Sequence, residues 1–81
     1  MMKAKIYISL KEEILDPQGK TIEHALSVLG FNDVTGVRIG KYLEVSLKPG
    51  PLESVKKSIE HMCEKLLANT VIESYRYEID A

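Results

Sequence analysis

At 81 residues, with 44% hydrophobic and 28% charged residues, the chain has the size and composition of one small globular domain. A formal net charge of −1 provides no electrostatic pull toward nucleic acid or anionic membranes. No apolar run approaches the roughly 18 residues that span a bilayer, the charged and apolar alternation from Lys3 does not read as a signal peptide, and a lone cysteine, Cys63, excludes an intrachain disulfide framework and fits a reducing cytoplasm.

A chain this short buries only roughly 60–65% of its unfolded surface. That allows a core two layers thick and no deep enclosed cleft. Domains of this size often complete their burial against another subunit. The expectation is a single domain over 1–81 that forms at least a dimer.

Residues 3–10 (KAKIYISL) alternate strictly, with Ala4, Ile6, Ile8 and Leu10 on one side and Lys3, Lys5, Tyr7 and Ser9 on the other. Period two with β-branched and aromatic residues predicts a half-buried strand. Lys11 to Leu15 is a short connector. Asp16 then suits a helix cap, with Pro17 at the first helical position, where its missing N–H costs nothing. Ile22, Ala25, Leu26 and Leu29 follow at helical spacing and predict a buried stripe. Gly30 can take the left-handed conformation that ends a helix, and Phe31 can fold back onto it.

Residues 37–48 (VRIGKYLEVSLK) pose a topological question. Val37, Ile39, Leu43, Val45 and Leu47 share one parity, with Lys41 the exception. A two-residue turn at Gly40-Lys41 would swap the apolar parity between its arms. The kept parity favours one long strand bent at Gly40. A three-residue loop would keep parity too, so a hairpin stays open. KPGP (48–51) then breaks the chain, and Pro51 opens a second helix whose stripe is Leu52, Val55, Ile59, Met62, Cys63 and Leu66. Asn69 suits a left-handed stop. Residues 71–80 close the chain as a strand, with Tyr75, Tyr77 and Ile79 on one side.

The order β-α-β-(β)-α-β predicts an α+β domain of the ferredoxin-like or split βαβ type. It would have two layers, an antiparallel sheet of three or four strands with two helices on one face. The opposite face would carry some of Lys5, Tyr7, Ser9, Arg38, Tyr42, Glu44 and Arg76, and such Tyr and Arg content is enriched where proteins meet.

Chemistry is scarce. Gly19-Lys20-Thr21 resembles the end of a phosphate loop, but the motif needs a glycine five positions earlier, where Ile14 stands. Pro17 also removes one of the N–H groups such a loop uses. A weaker reading is an anion or a partner carboxylate meeting the N–H groups of Gly19 and Lys20 at the helix start. His24 falls off the apolar stripe of its helix, and His61 faces away from Cys63, so no metal cluster forms. Cys63 reads as a small buried hydrophobe, not a nucleophile. Arg38 and Lys41, flanking Gly40, are the best anion candidates, although a surface or dimer contact is the plainer reading. An RNA-binding module would need interleaved aromatics around a basic-glycine core, and VRIGKYLEV supplies one Tyr.

Taken together, LKEEILDPQG, VRIGKYLEV and MCEKLLANTVIESYRYE, in this order and spacing, resemble the PurS family over nearly the whole chain. That family is the small third component of the multi-subunit phosphoribosylformylglycinamidine synthase of purine biosynthesis. The resemblance implies a non-catalytic assembly subunit of a complex that converts formylglycinamide ribonucleotide, ATP and glutamine to the amidine. It implies a homodimer or dimer of dimers that docks a large synthetase subunit to a glutaminase subunit and helps enclose the ammonia route. It implies no catalytic residue, cofactor or metal in this chain, with ATP and Mg²⁺ in the large partner, and no nucleic-acid or membrane partner. By match to the motifs, contacts are expected around Asp16, Pro17, Gln18 and Gly19, around Arg38, Gly40, Lys41 and Tyr42, and near Asn69 and Thr70. The alternative function is a small regulatory ligand-binding domain of similar topology, acting as a dimer.

Overall fold

Strict alternation makes β1, Met2–Leu10, the strand on which the fold is built. The structure, a computed structural model, describes residues 2–80. Along β1, Met2, Ala4, Ile6 and Ile8 are buried while the residues between them are only partly covered. β2, Gly40–Leu47, and β3, Glu73–Asp80, pair with it antiparallel on either side, in the order β2-β1-β3. The register sets like against like on the core face. Ile6 lies between Leu43 and Tyr77, and Ala4 between Val45 and Ile79. Helix α2, Leu52–Met62, lays Val55 and Ile59 over this face, and Cys63 and Ala68 complete the core.

The expected α+β class, an antiparallel sheet with two helices, therefore holds. Within it the structure departs from the sequence reading at four places, each with a local cause. First, residues 37–39 are not part of β2, which starts at Gly40 and runs unbroken to Leu47 with no hairpin turn at Gly40-Lys41. The three preceding residues are drawn off the sheet by Asp16, whose carboxylate takes the Ile39 N–H. Gly40 is needed because a Cβ there would stand 2.5 Å from the Ile8 carbonyl oxygen, so only glycine lets the strands meet. Arg38 accordingly lies ahead of the strand and off the open sheet face, its guanidinium donating to the Lys11 carbonyl at 2.9 Å.

Second, α2 does not end on an α-turn. Residues Cys63–Leu67 form a π-helical turn, closed by the Ala68 N–H donating to Cys63 O at 3.0 Å. The wider turn rotates Leu66 out of the stripe to 82% exposure and turns Leu67 and Ala68 inward instead. Third, Asn69 is not left-handed; among the described residues Gly30 alone has positive φ, at 98°. Asn69 instead staples the bend into β3, its side chain accepting from Val71 N and its carbonyl from the N–H groups of Ile72 and Glu73.

The fourth departure concerns α1, Pro17–Val28. Its ends behave as expected. The Asp16 side chain caps Gly19 N, and Gly30 allows the Phe31 N–H to reach back to Leu26 O at 3.0 Å. Its apolar stripe, however, is not buried. Gly19 is the one buried residue of α1, Glu23 and Leu26 are half-buried, and Ile22, Ala25 and Leu29 are exposed. Only α2 covers the sheet closely. The Cα radius of gyration is 16.3 Å, against about 12 Å for a compact chain of this length.

Candidate functional site

The corner where α1 begins is built on one carboxylate. Asp16 is 4% exposed; Oδ1 accepts from Gly19 N at 2.9 Å and Oδ2 from Ile39 N at 2.7 Å. One side chain thus caps a helix and holds a segment 23 residues further along the chain. The backbones touch here: a Cβ on Gly19 would lie 2.3 Å from the Val37 carbonyl oxygen. The backbone donors of Ile39 and Gly19, aided by the charge of Arg38, hold the Asp16 carboxyl below the usual carboxylate range. The N–H groups that a helix-start anion site would use are occupied. Gly19 N–H goes to Asp16 Oδ1 and Lys20 N–H to Asp16 O at 3.0 Å, so the anion reading of that tripeptide falls. Lys20 Nζ sits 3.5 Å from Glu23, and the Thr21 hydroxyl donates to Pro17 O.

Sequence-distant candidates converge beside this corner. Asp16, Gln18, Gly40 and Lys41 line one shallow cleft of about 200 Å³, closed on its far side by Glu73. Glu73 is the residue sequence reasoning missed. Its Oε1 accepts from Asn69 N at 2.7 Å and its Oε2 lies 3.7 Å from Lys41 Nζ, so it ties the bend at Asn69 to the start of β2. The parity exception at Lys41 was the available signal. Lys41 breaks the apolar alternation opposite Ile8, and although exposed it lies within ion-pair reach of Glu73. Pro17 and Thr70 are exposed.

Tyr42 belongs to a different surface, the sheet face that no helix covers. Here Tyr7 stands in register between Tyr42 and Arg76. The Arg76 guanidinium lies 3.9 Å over the Tyr7 ring, and the Tyr42 ring packs against Tyr7 at a tilt of 40° with centroids 5.1 Å apart. Ion pairs frame this stack: Lys3–Glu44 at 3.4 Å, Lys5–Asp80 at 3.0 Å and Arg76–Glu78 at 3.6 Å. Tyr42 donates to Glu44 at 2.7 Å, which pushes the phenol up to about 12 and holds the Glu44 carboxyl down. The bond to Asp80 raises Lys5.

Other displaced titrations are structural too. Tyr77, on the core side, donates to Glu60 of α2 and rises to about 12. Cys63 is fully buried, and that burial pushes its thiol up. Among the described residues no group of three or more His, Cys, Asp or Glu side chains could hold a metal ion, and no helix is long and apolar enough to cross a membrane.

A third surface is the α1 stripe itself, extended by Val28, 72% exposed, and by Phe31 beyond Gly30. The chain thus offers a polar aromatic sheet face, an apolar helix face and a tied corner between them.

Comparison with known proteins identifies the lineage. The family model for PurS, phosphoribosylformylglycinamidine (FGAM) synthase, matches residues 3–81. The chain is 51% identical to the phosphoribosylformylglycinamidine synthase subunit PurS of Bacillus subtilis over 80 residues, 99% of this chain and 94% of that one. It superimposes on Methanocaldococcus jannaschii PurS, one of the subunits of formylglycinamide ribonucleotide amidotransferase in the purine biosynthetic pathway, with TM-score 0.88 at 42% identity, covering 99% of this chain and 96% of that one. It also matches a chain of the PurLQS structure from Thermotoga maritima with TM-score 0.87 at 28% identity, covering 98% and 96% of the two chains. A match this long, at this identity and with the same fold, is common ancestry: the chain belongs to the PurS family of FGAM synthase subunits.

Proposed function

We propose that this chain is the non-catalytic assembly subunit of a phosphoribosylformylglycinamidine synthase complex of purine biosynthesis. It bridges a large synthetase subunit and a glutaminase subunit and supports the passage of ammonia between them. The complex converts formylglycinamide ribonucleotide, ATP and glutamine to the amidine, with ATP and Mg²⁺ held by the large subunit, in the cytoplasm. The observation that carries this reading is the near full-length likeness to PurS chains, one of them solved within PurLQS.

The surfaces fit that role. The chain acts as a homodimer or dimer of dimers, and the uncovered apolar stripe of α1 is the proposed surface for the second copy. An extended shape and a core of few residues leave burial to be completed from outside. Gln18, Lys41 and Thr70 around the corner, and Tyr42 on the open sheet face, are exposed and are the proposed contacts to the larger subunits. Asp16 and Gly19 serve by shaping the corner, since the chain's own backbone buries them.

Reconstitution tests the reading. The large and glutaminase subunits together should make amidine from glutamine only when this chain is added, while ammonia-dependent synthesis by the large subunit should need it far less. Full glutamine-dependent activity without the chain would refute the role.

A further inference from the structure

The apolar stripe of α1 can serve assembly only if α1 points in one direction, and little of its own surface fixes that direction. Gly19 is its one buried residue, and its other side chains are exposed or half-buried. What joins α1 to the sheet is concentrated in its first turn. There the Asp16 carboxylate spans from Gly19 N, at 2.9 Å, to Ile39 N, at 2.7 Å, one residue ahead of β2. The Gly19 backbone lies against the Val37 carbonyl, which leaves no room for the helix end to slide. Arg38 pins the same segment to the Lys11 carbonyl from its other side.

We propose that Asp16 is the positioning residue of this chain's assembly surface: its two carboxylate oxygens, one on α1 and one on the segment entering β2, set the angle at which α1 projects from the sheet. The inference rests on the reading that the α1 stripe takes part in assembly, but the geometry it asserts is testable without it. A carboxylate is required, because both partners are N–H donors. An amide has one acceptor oxygen and must turn its NH₂ toward one of them. Loss of the bridge leaves the β1–α2 core intact, since Asp16 contributes nothing to that cluster.

The test is a pair of full-length variants, Asp16→Ala and Asp16→Asn, with two readouts. In hydrogen exchange, the amides of residues 20–29 should exchange at least tenfold faster in Asp16→Ala, with Asp16→Asn intermediate, while amides of Ala4–Ile8 and Val55–Ile59 change less than twofold. Spin labels at Ser27 and Ser46, in samples diluted with unlabelled chain, should give one narrow distance distribution in the parent and a broad one in Asp16→Ala. Unchanged α1 exchange, uniform acceleration across core and α1, or a distance distribution as narrow as the parent's would overturn the proposal. If Asp16→Ala does not fold, the same criteria apply to Asp16→Asn. A separate variant, Leu29→Asp, reports on the underlying reading. Undiminished self-association there removes the stripe from assembly without touching the Asp16 result.

Discussion

Asp16 and Gly19 show how much one corner asks of two residues. Gly19 is in a helix, where alanine is ordinarily favoured by about 1 kcal/mol. Here the added methyl would meet the Val37 carbonyl at 2.3 Å, so the corner must open. Gly19→Ala is therefore expected to destabilise the fold by about 1–3 kcal/mol, the usual cost of overpacking, measured as a lower urea midpoint. A neutral or raised midpoint would show that the corner opens without cost. Asp16 gives a second expectation, in pH. Two backbone donors depress its folded pKa below the ordinary 3.8, so the folded state stabilises the carboxylate. The contribution is present in full above the unfolded value and is lost as pH falls through the depressed folded one. Glu44 shifts the same way, so the diagnostic is a difference between proteins. The deficit of Asp16→Asn relative to the parent, read as the free energy of local opening of α1, should be largest near neutrality and shrink below about pH 4. A deficit that does not vary with pH would contradict this account. Sequence alone reveals the cap at Asp16. It does not reveal the bond to Ile39, because nothing local joins residues so far apart in the chain.

Among the elements, the second helix separates two residues that periodicity treats alike. Ile59 and Leu66 both fall on one 3.6-residue stripe, yet Ile59 is fully buried and Leu66 is 82% exposed. The i→i+5 bond from Ala68 to Cys63 is the cause, since it interrupts the repeat before Leu66. Ile59→Ala is expected to cost about 2–5 kcal/mol, and Leu66→Ala within about 0.5, both read from chemical denaturation. Comparable losses at the two positions would mean that the helix continues as a regular α-helix. β1 by contrast was legible from Lys3 onward, as its alternation faces Ala4, Ile6 and Ile8 into the core; Met2, which the reading left out, extends the same face. For β2 the parity of Leu43, Val45 and Leu47 was legible and the starting point was not. Residues 37–39 have strand-like composition, and a side-chain acceptor from another element takes the N–H of Ile39.

At the scale of the molecule, the exposed stripe on α1 is the feature that most needs explanation. Ile22, Leu26 and Leu29 have the spacing of a packed helix, yet Ile22 and Leu29 are exposed and Leu26 is only half-buried. An isolated monomer would hold an apolar strip in water beside an elongated body of 50 × 25 × 15 Å. Sedimentation at micromolar concentration should therefore find a dimer or larger, and a stable monomer would count heavily against the proposed pairing. The open sheet face makes a different demand. Arg76 and Tyr42 are exposed on either side of a half-buried Tyr7, and a cation–π contact at an exposed site is worth about 0.5–1 kcal/mol. Arg76→Ala should barely move the fold's stability. If this face meets a larger subunit, the same substitution should weaken the complex by more than tenfold in Kd; equal affinity would remove the face from the interface.

By itself the sequence determined whatever depends on neighbours along the chain. These are the alternating strands, the capped start and glycine stop of the first helix, the stripe of the second from Val55 to Cys63, and the family signature in its three motifs. Tertiary structure alone decided which stripe is covered, where β2 begins, how α2 ends and what Asp16 holds. Periodicity records which residues would gain from burial, and the surface that buries them is supplied by chain far away in sequence. For α1 the gain is there and the described chain supplies no such surface, which is the physical ground for regarding this small domain as part of something larger.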